Sequence, residues 1–97
     1  MAMQADWGRT NGWKMVEDGG FFTVGDVLTI DMPNMKVSLT RSGTTKDWGT
    51  IQKYNHDDTL EVLDQNNKTW KFTRKAIYVL TGPVPSGGTT WTATEGG

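Results

Sequence analysis

The single histidine, His56, stands beside Asp57 and Asp58 in the run Asn55-His56-Asp57-Asp58. An imidazole next to carboxylates is a pairing used for proton transfer. No Ser or Cys nucleophile pattern accompanies it, and four consecutive turn formers read first as a solvated turn. The chain has no cysteine, so a disulfide or a thiolate zinc site is excluded, and one histidine leaves only carboxylates as further zinc donors. Asp64, Asn66 and Lys68 echo the alternating ligands of a calcium loop. Lys68 breaks that pattern with a cation, the glycine is missing, and no Glu follows at the twelfth position. Asp57 and Asp58 are adjacent in a turn, where carboxylates usually cap and solvate. Gly19-Gly20 and Gly87-Gly88 lead into no helix, so neither reads as a phosphate loop. Asn67-Lys68-Thr69 matches the glycosylation acceptor pattern, taken as chance without a secretory signal. The expectation is a chain that is not an enzyme and needs no cofactor.

What remains is binding chemistry, and charge bounds it. The net charge is −1, but residues 36–75 hold eight of the ten Lys+Arg and five of the eleven Asp+Glu. That half is weakly basic, short of the strong positive field of a dedicated nucleic-acid module. Ninety-seven residues with 35% hydrophobic content make one domain with a small core, and five Trp, three Phe and two Tyr supply much of it. The first residues, MAMQADWGRT, show no charged segment followed by an apolar run, so no signal peptide is expected. No apolar stretch approaches the ~18 residues of a helical membrane span. The expected location is intracellular, with no membrane partner.

The elements that must position these residues are strands. Gly, Thr, Asn and Asp recur too often for a helix, and the 3.6-residue period is missing. Residues 1–20 read as an irregular arm carrying Trp7 and Trp13. Each of these either lies back on the core or meets a partner. Residues 21–80 form the expected barrel body. Phe21 to Val24 reads as an edge segment, Val27–Asp31 as a strand, and Met35, Val37 and Leu39 alternate with polar residues. Arg41 to Lys46 reads as a loop. Residues 81–97, TGPVPSGGTTWTATEGG, read as a flexible Pro/Gly/Thr-rich tail with Trp91 exposed.

Register arithmetic sharpens the centre of the chain. A two-residue turn on Asn66-Asn67 would oppose Val62 to Lys71 and flip every side chain to the wrong face. A three-residue loop of Gln65, Asn66 and Asn67 pairs Leu60 with Phe72 and Val62 with Trp70 inside, and Glu61 with Lys71 outside. Asn67 tolerates the left-handed conformation such a loop demands. The preceding turn at Asn55–Asp58 sets Ile51 opposite Val62 and shows Gln52, Tyr54, Glu61, Lys71 and Thr73 on the outer face.

Gly25-Asp26-Val27, Gly49-Thr50-Ile51, the Asp57-Asp58-Thr59 turn, Leu60-Glu61-Val62, Trp70-Lys71-Phe72 and Ile77-Tyr78-Val79 follow in the order of a Src-homology-3-like barrel. Over residues 24–80 the chain resembles the Tudor and KOW group. The resemblance implies an all-β fold: a small, strongly bent antiparallel barrel of about five strands, with a short 3₁₀ turn at Thr73–Ala76. Met32–Lys46 is long for the first loop of such a barrel and includes an added strand. In Tudor-like barrels aromatic residues cage methylated Lys or Arg, and the matching positions here are Trp48, Tyr54, Trp70 and Tyr78. The register puts Trp70 inside, so a complete cage is not expected. KOW-like barrels meet nucleic acid through loops. By that likeness Lys53, Lys68, Lys71, Arg74 and Lys75 would face phosphates while Trp48 or Tyr54 stacks on a base. The alternative is an ordinary solvated face. The partner-binding residues are therefore expected among Trp48, Tyr54, Lys53, Lys71, Arg74 and Tyr78. The chain reads as a non-catalytic interaction module for a protein or peptide, with nucleic acid as the second partner class. The competing reading is a structural subunit of a larger assembly, with the barrel as spacer and the termini as contacts.

Overall fold

A computed structural model describes residues 12–55, 58–76, 79–85 and 89–95. They form β1 (Trp13–Glu17), β2 (Val27–Asp31), β3 (Lys36–Arg41), β4 (Thr44–Asn55), β5 (Thr59–Asp64), β6 (Thr69–Ala76), β7 (Val79–Pro83) and β8 (Thr90–Glu95). Each strand pairs antiparallel with the next, and β8 returns to β1, closing the barrel. All-β and antiparallel hold as expected; the strand number is eight rather than about five.

The additional strands come largely from segments expected to be irregular. Trp13–Glu17 of the arm pairs with both β2 and β8, and Trp13 is buried. Thr90–Glu95 of the expected tail is a full strand between β7 and β1, and Trp91 is buried. Closure is the reason: two apolar-alternating segments, weak alone, satisfy each other's backbone groups and the two sheet edges together. Trp7 lies outside the described residues.

Alternation puts the core in the lumen. Leu28 and Ile30 of β2, Leu60 and Val62 of β5, Trp70 and Phe72 of β6, and Trp91 and Ala93 of β8 all point inward and are buried. Lys14, Thr29, Lys53 and Lys71 between them point outward. An eight-stranded barrel has an interior just wide enough for side chains to fill, and aromatics fill this one. Gly82 makes room for them: a Cβ there would strike the Lys71 carbonyl and come within 3.1 Å of the Trp91 ring.

The β5–β6 register is the one derived from the sequence. Leu60 faces Phe72, Glu61 faces Lys71 and Val62 faces Trp70, around the loop Gln65-Asn66-Asn67 with Asn67 at φ 63°. Elsewhere bulges move side chains. Ile51 faces Val62 as expected, but the register slips between Ile51 and Lys53, so Lys53 faces Glu61 and Tyr54 faces Leu60. Tyr54 therefore packs half-buried against the core instead of facing outward. Thr73–Ala76 continues β6, paired to β7, where a 3₁₀ turn was expected. Thr44–Lys46 opens β4, leaving only Ser42-Gly43 as the turn after β3. Phe21–Val24 is a folded loop and not an edge strand.

Candidate functional site

Four connections cluster at one end of the barrel: the loop Asp18–Asp26, the turn Ser42-Gly43, the loop Gln65–Lys68, and the link from β7 to β8. This end is the mouth. Its loop Asp18–Asp26 folds back on itself. Asp18 accepts from the Gly20, Phe21 and Phe22 amides, and Met15 exchanges bonds with Asp26 and Gly25. The result drives Phe22, 3% exposed, into the lumen. Its ring lies 5.6 Å from Trp48, 5.4 Å from Trp70 and 5.7 Å from Trp91. Thr89 Oγ1 donates to the Gly19 carbonyl and ties the β7–β8 link to the same plug.

Two buried aspartates hold the mouth. Asp26 Oδ2 accepts from the Thr23 amide at 2.9 Å and from Arg41 Nε and Nη2 at 3.0 and 2.7 Å. Asp64 Oδ1 accepts from the Asn66 and Lys68 amides, and Oδ2 accepts from Trp70 Nε1 at 2.8 Å. Burial pushes both carboxyls up. Arg41 and the Thr23 amide outweigh it at Asp26, and Trp70 with the two loop amides outweighs it at Asp64, so both pKa values lie below the ordinary carboxylate range. The calcium-like spacing of Asp64, Asn66 and Lys68 thus serves the loop: the aspartate organises its own hairpin.

The hairpin of β3 and β4 rises past this frame. Ser42 and Gly43 both have positive φ, 53° and 79°, as a two-residue hairpin turn of matching twist requires. Pairing with β3 runs to Arg41↔Thr44, whereas pairing of β4 with β5 stops at Gly49↔Asp64. Among the described residues, 44–48 therefore have a strand neighbour on one side only. A bulge opposite Val37 and Ser38 leaves Trp48 without a ladder partner on β3 and turns it toward the lumen. Its ring sits 5.0 Å from Trp70 and stacks on Phe72 at 6.0 Å, with part of it still exposed. Leu39, Arg41, Ser42, Thr44, Lys46, Asp47, Trp48 and Gln65 enclose an open groove of ≈ 510 Å³.

The other expected partner residues do not gather here. Tyr54 lies six positions along β4 from Trp48, about 20 Å of extended strand away. Trp70 is buried with its indole N–H on Asp64, and Tyr78 lies outside the described residues, as do His56 and Asp57. Lys53 and Lys71 stand in one outer row on either side of Glu61, a surface away from the mouth. Arg74, with a side chain 7% exposed, is ion-paired to Asp58 at 3.4 Å. The residues around Trp48 that sequence reasoning passed over are Leu39, Arg41, Lys46 and Gln65. The signal for them was the Ser42-Gly43 dipeptide between alternating runs, a hairpin mark that makes Thr44–Lys46 strand. No protein-family model matches the chain, and no solved structure matches it.

Proposed function

We propose that this chain is a non-catalytic interaction module that takes a protein segment at the mouth of its barrel. The carrying observation is Trp48, partly exposed over a packed aromatic floor in a groove with Leu39 and two cationic side chains, Arg41 and Lys46. Partly exposed tryptophan and arginine on a rigid base are the residue types that dominate protein interfaces. The lumen itself is occupied by Trp13, Phe22, Trp70, Phe72 and Trp91, so contact falls to the rim. Nucleic acid fits less well. Of its five candidate cations, Lys53 and Lys71 flank Glu61 across the strands, Arg74 is paired with Asp58, Lys68 sits at the mouth, and Lys75 is exposed on β6.

A displayed random-peptide library selected on the immobilised chain tests this. The expected ligands perturb amides of Leu39–Trp48 and Gln65 and are lost on Trp48→Ala. Ligands that survive Trp48→Ala and map to Lys53, Glu61 and Lys71 would overturn the assignment. The subunit reading draws support from Phe21 and Val24, 43% and 59% exposed on the loop Asp18–Asp26. Light scattering across a concentration series, with Phe21→Ser as control, checks self-assembly through that loop.

A further inference from the structure

The mouth offers a peptide more than a groove. Asp47 and Ser38 are cross-strand partners, and the Asp47 carbonyl points away from β3, where it accepts from Gln65 Nε2 at 2.8 Å. Alternate residues of an antiparallel strand turn their N–H and C=O to opposite edges. Thr45, two positions earlier, therefore presents both groups to the same edge. Its side chain agrees: Thr45 Oγ1 lies 2.7 Å from Thr40 Oγ1, the close approach of a pair that exchanges no backbone bonds. β5 ends at the level of Gly49, so among the described residues no strand reaches Thr45 on that edge. The Gln65 amide stands where the donor of a next strand would stand. Along this edge Lys46 and Trp48 both line the groove.

We propose, resting on the mouth reading above, that an extended peptide adds to β4 at Thr44–Trp48 as a further antiparallel strand. It sets an apolar side chain on Trp48 and an acidic side chain on Lys46. Because the strands run opposite ways, the apolar residue precedes the acidic one by two positions. Main-chain bonds to Thr45 supply attachment, and the alternate side chains supply choice. Arg41 already holds Asp26, no ion pair of Lys46 is seen among the described residues, and the groove's remaining acid, Asp47, lies on the opposite face of β4 from Lys46.

The test is an amide-shift titration of the full chain with the blocked peptide Thr-Phe-Thr-Glu-Thr. Expected are downfield shifts at Thr45 and movement of the Trp48 indole. Binding should be abolished by N-methylation of the peptide at its ladder positions. Replacing its Glu by Lys should weaken it about two- to fivefold, a loss that Lys46→Glu restores. Lys46 is exposed, so that variant keeps its fold, and an unchanged amide spectrum outside the mouth verifies this. N-methylated peptide bound equally well, or indifference to the Glu–Lys exchange, would end strand addition while leaving a peptide-binding mouth intact. No perturbation up to about 1 mM would end it as well. Library ligands mapping elsewhere would end both readings.

Discussion

Two hairpins reach the mouth of this barrel, and they are built on opposite plans. The β5–β6 hairpin is closed at its loop and along its β5 flank. Asp64 satisfies its loop amides and the Trp70 indole, Glu61 faces Lys71, β4 pairs along the whole of β5, and β7 pairs with β6 from Thr73 onward. The β3–β4 hairpin is longer, turns on only two residues, and runs past its neighbour with one edge of β4 open among the described residues. One saturates its polar groups within the hairpin; the other sets a partly exposed tryptophan, a lysine and, among the described residues, unpaired backbone at the rim. Exposed edges invite pairing and are usually blunted. Here the blunting is light, a Gln65 amide on one carbonyl. The comparison separates the part of the mouth that holds shape from the part that can recruit.

Mutation can break the contrast from its stable side. Trp70→Ala should cost about 3–5 kcal/mol, since it empties the aromatic floor and strands Asp64; urea unfolding measures it, and a loss under 1 kcal/mol on this scale would mean the floor is not a keystone. Asp64→Ala should cost about 2–3 kcal/mol by leaving two amides and an indole N–H without their acceptor. Hydrogen exchange should rise first at Asn66 and Lys68. Acid should act on the same groups. Asp26 and Asp64 have folded pKa values below their unfolded ones, so the stability they contribute is complete above roughly pH 5 and is lost as pH falls through those lowered values. Unfolding curves from about pH 6 down to pH 2 should show that loss, and the wild-type slope should exceed that of an Asp64→Ala chain. The open hairpin should respond least. Lys46→Glu should change stability by less than about 0.5 kcal/mol, and a larger loss would place Lys46 in the structural frame.

The central register was readable because its determinants are local. Leu60, Val62, Trp70 and Phe72 alternate on either side of a short loop, and only one loop length keeps them on one face without burying Lys71. Tyr54 failed for a reason of the same scale. One bulged residue before Lys53 reverses the face of everything after it, and nothing in Gln52-Lys53-Tyr54 marks the bulge. Trp48 was singled out as an aromatic cage or stacking position implied by the resemblance. That it overlooks a groove with Leu39 and Lys46 depends on a second bulge and on where β5 stops.

Turn chemistry and two-residue alternation were enough for the chain to specify strands, a filled aromatic interior and the pairing of β5 with β6. These act over a few residues, where side-chain size and backbone preference decide. Closure was another matter. Met15 meets Ala93, and Phe22 meets Trp91, across nearly the whole chain. Each partner is ordinary until the other arrives, so the eighth strand, the plug and the open edge beside Trp48 exist only once the sheet has curled round to its own beginning.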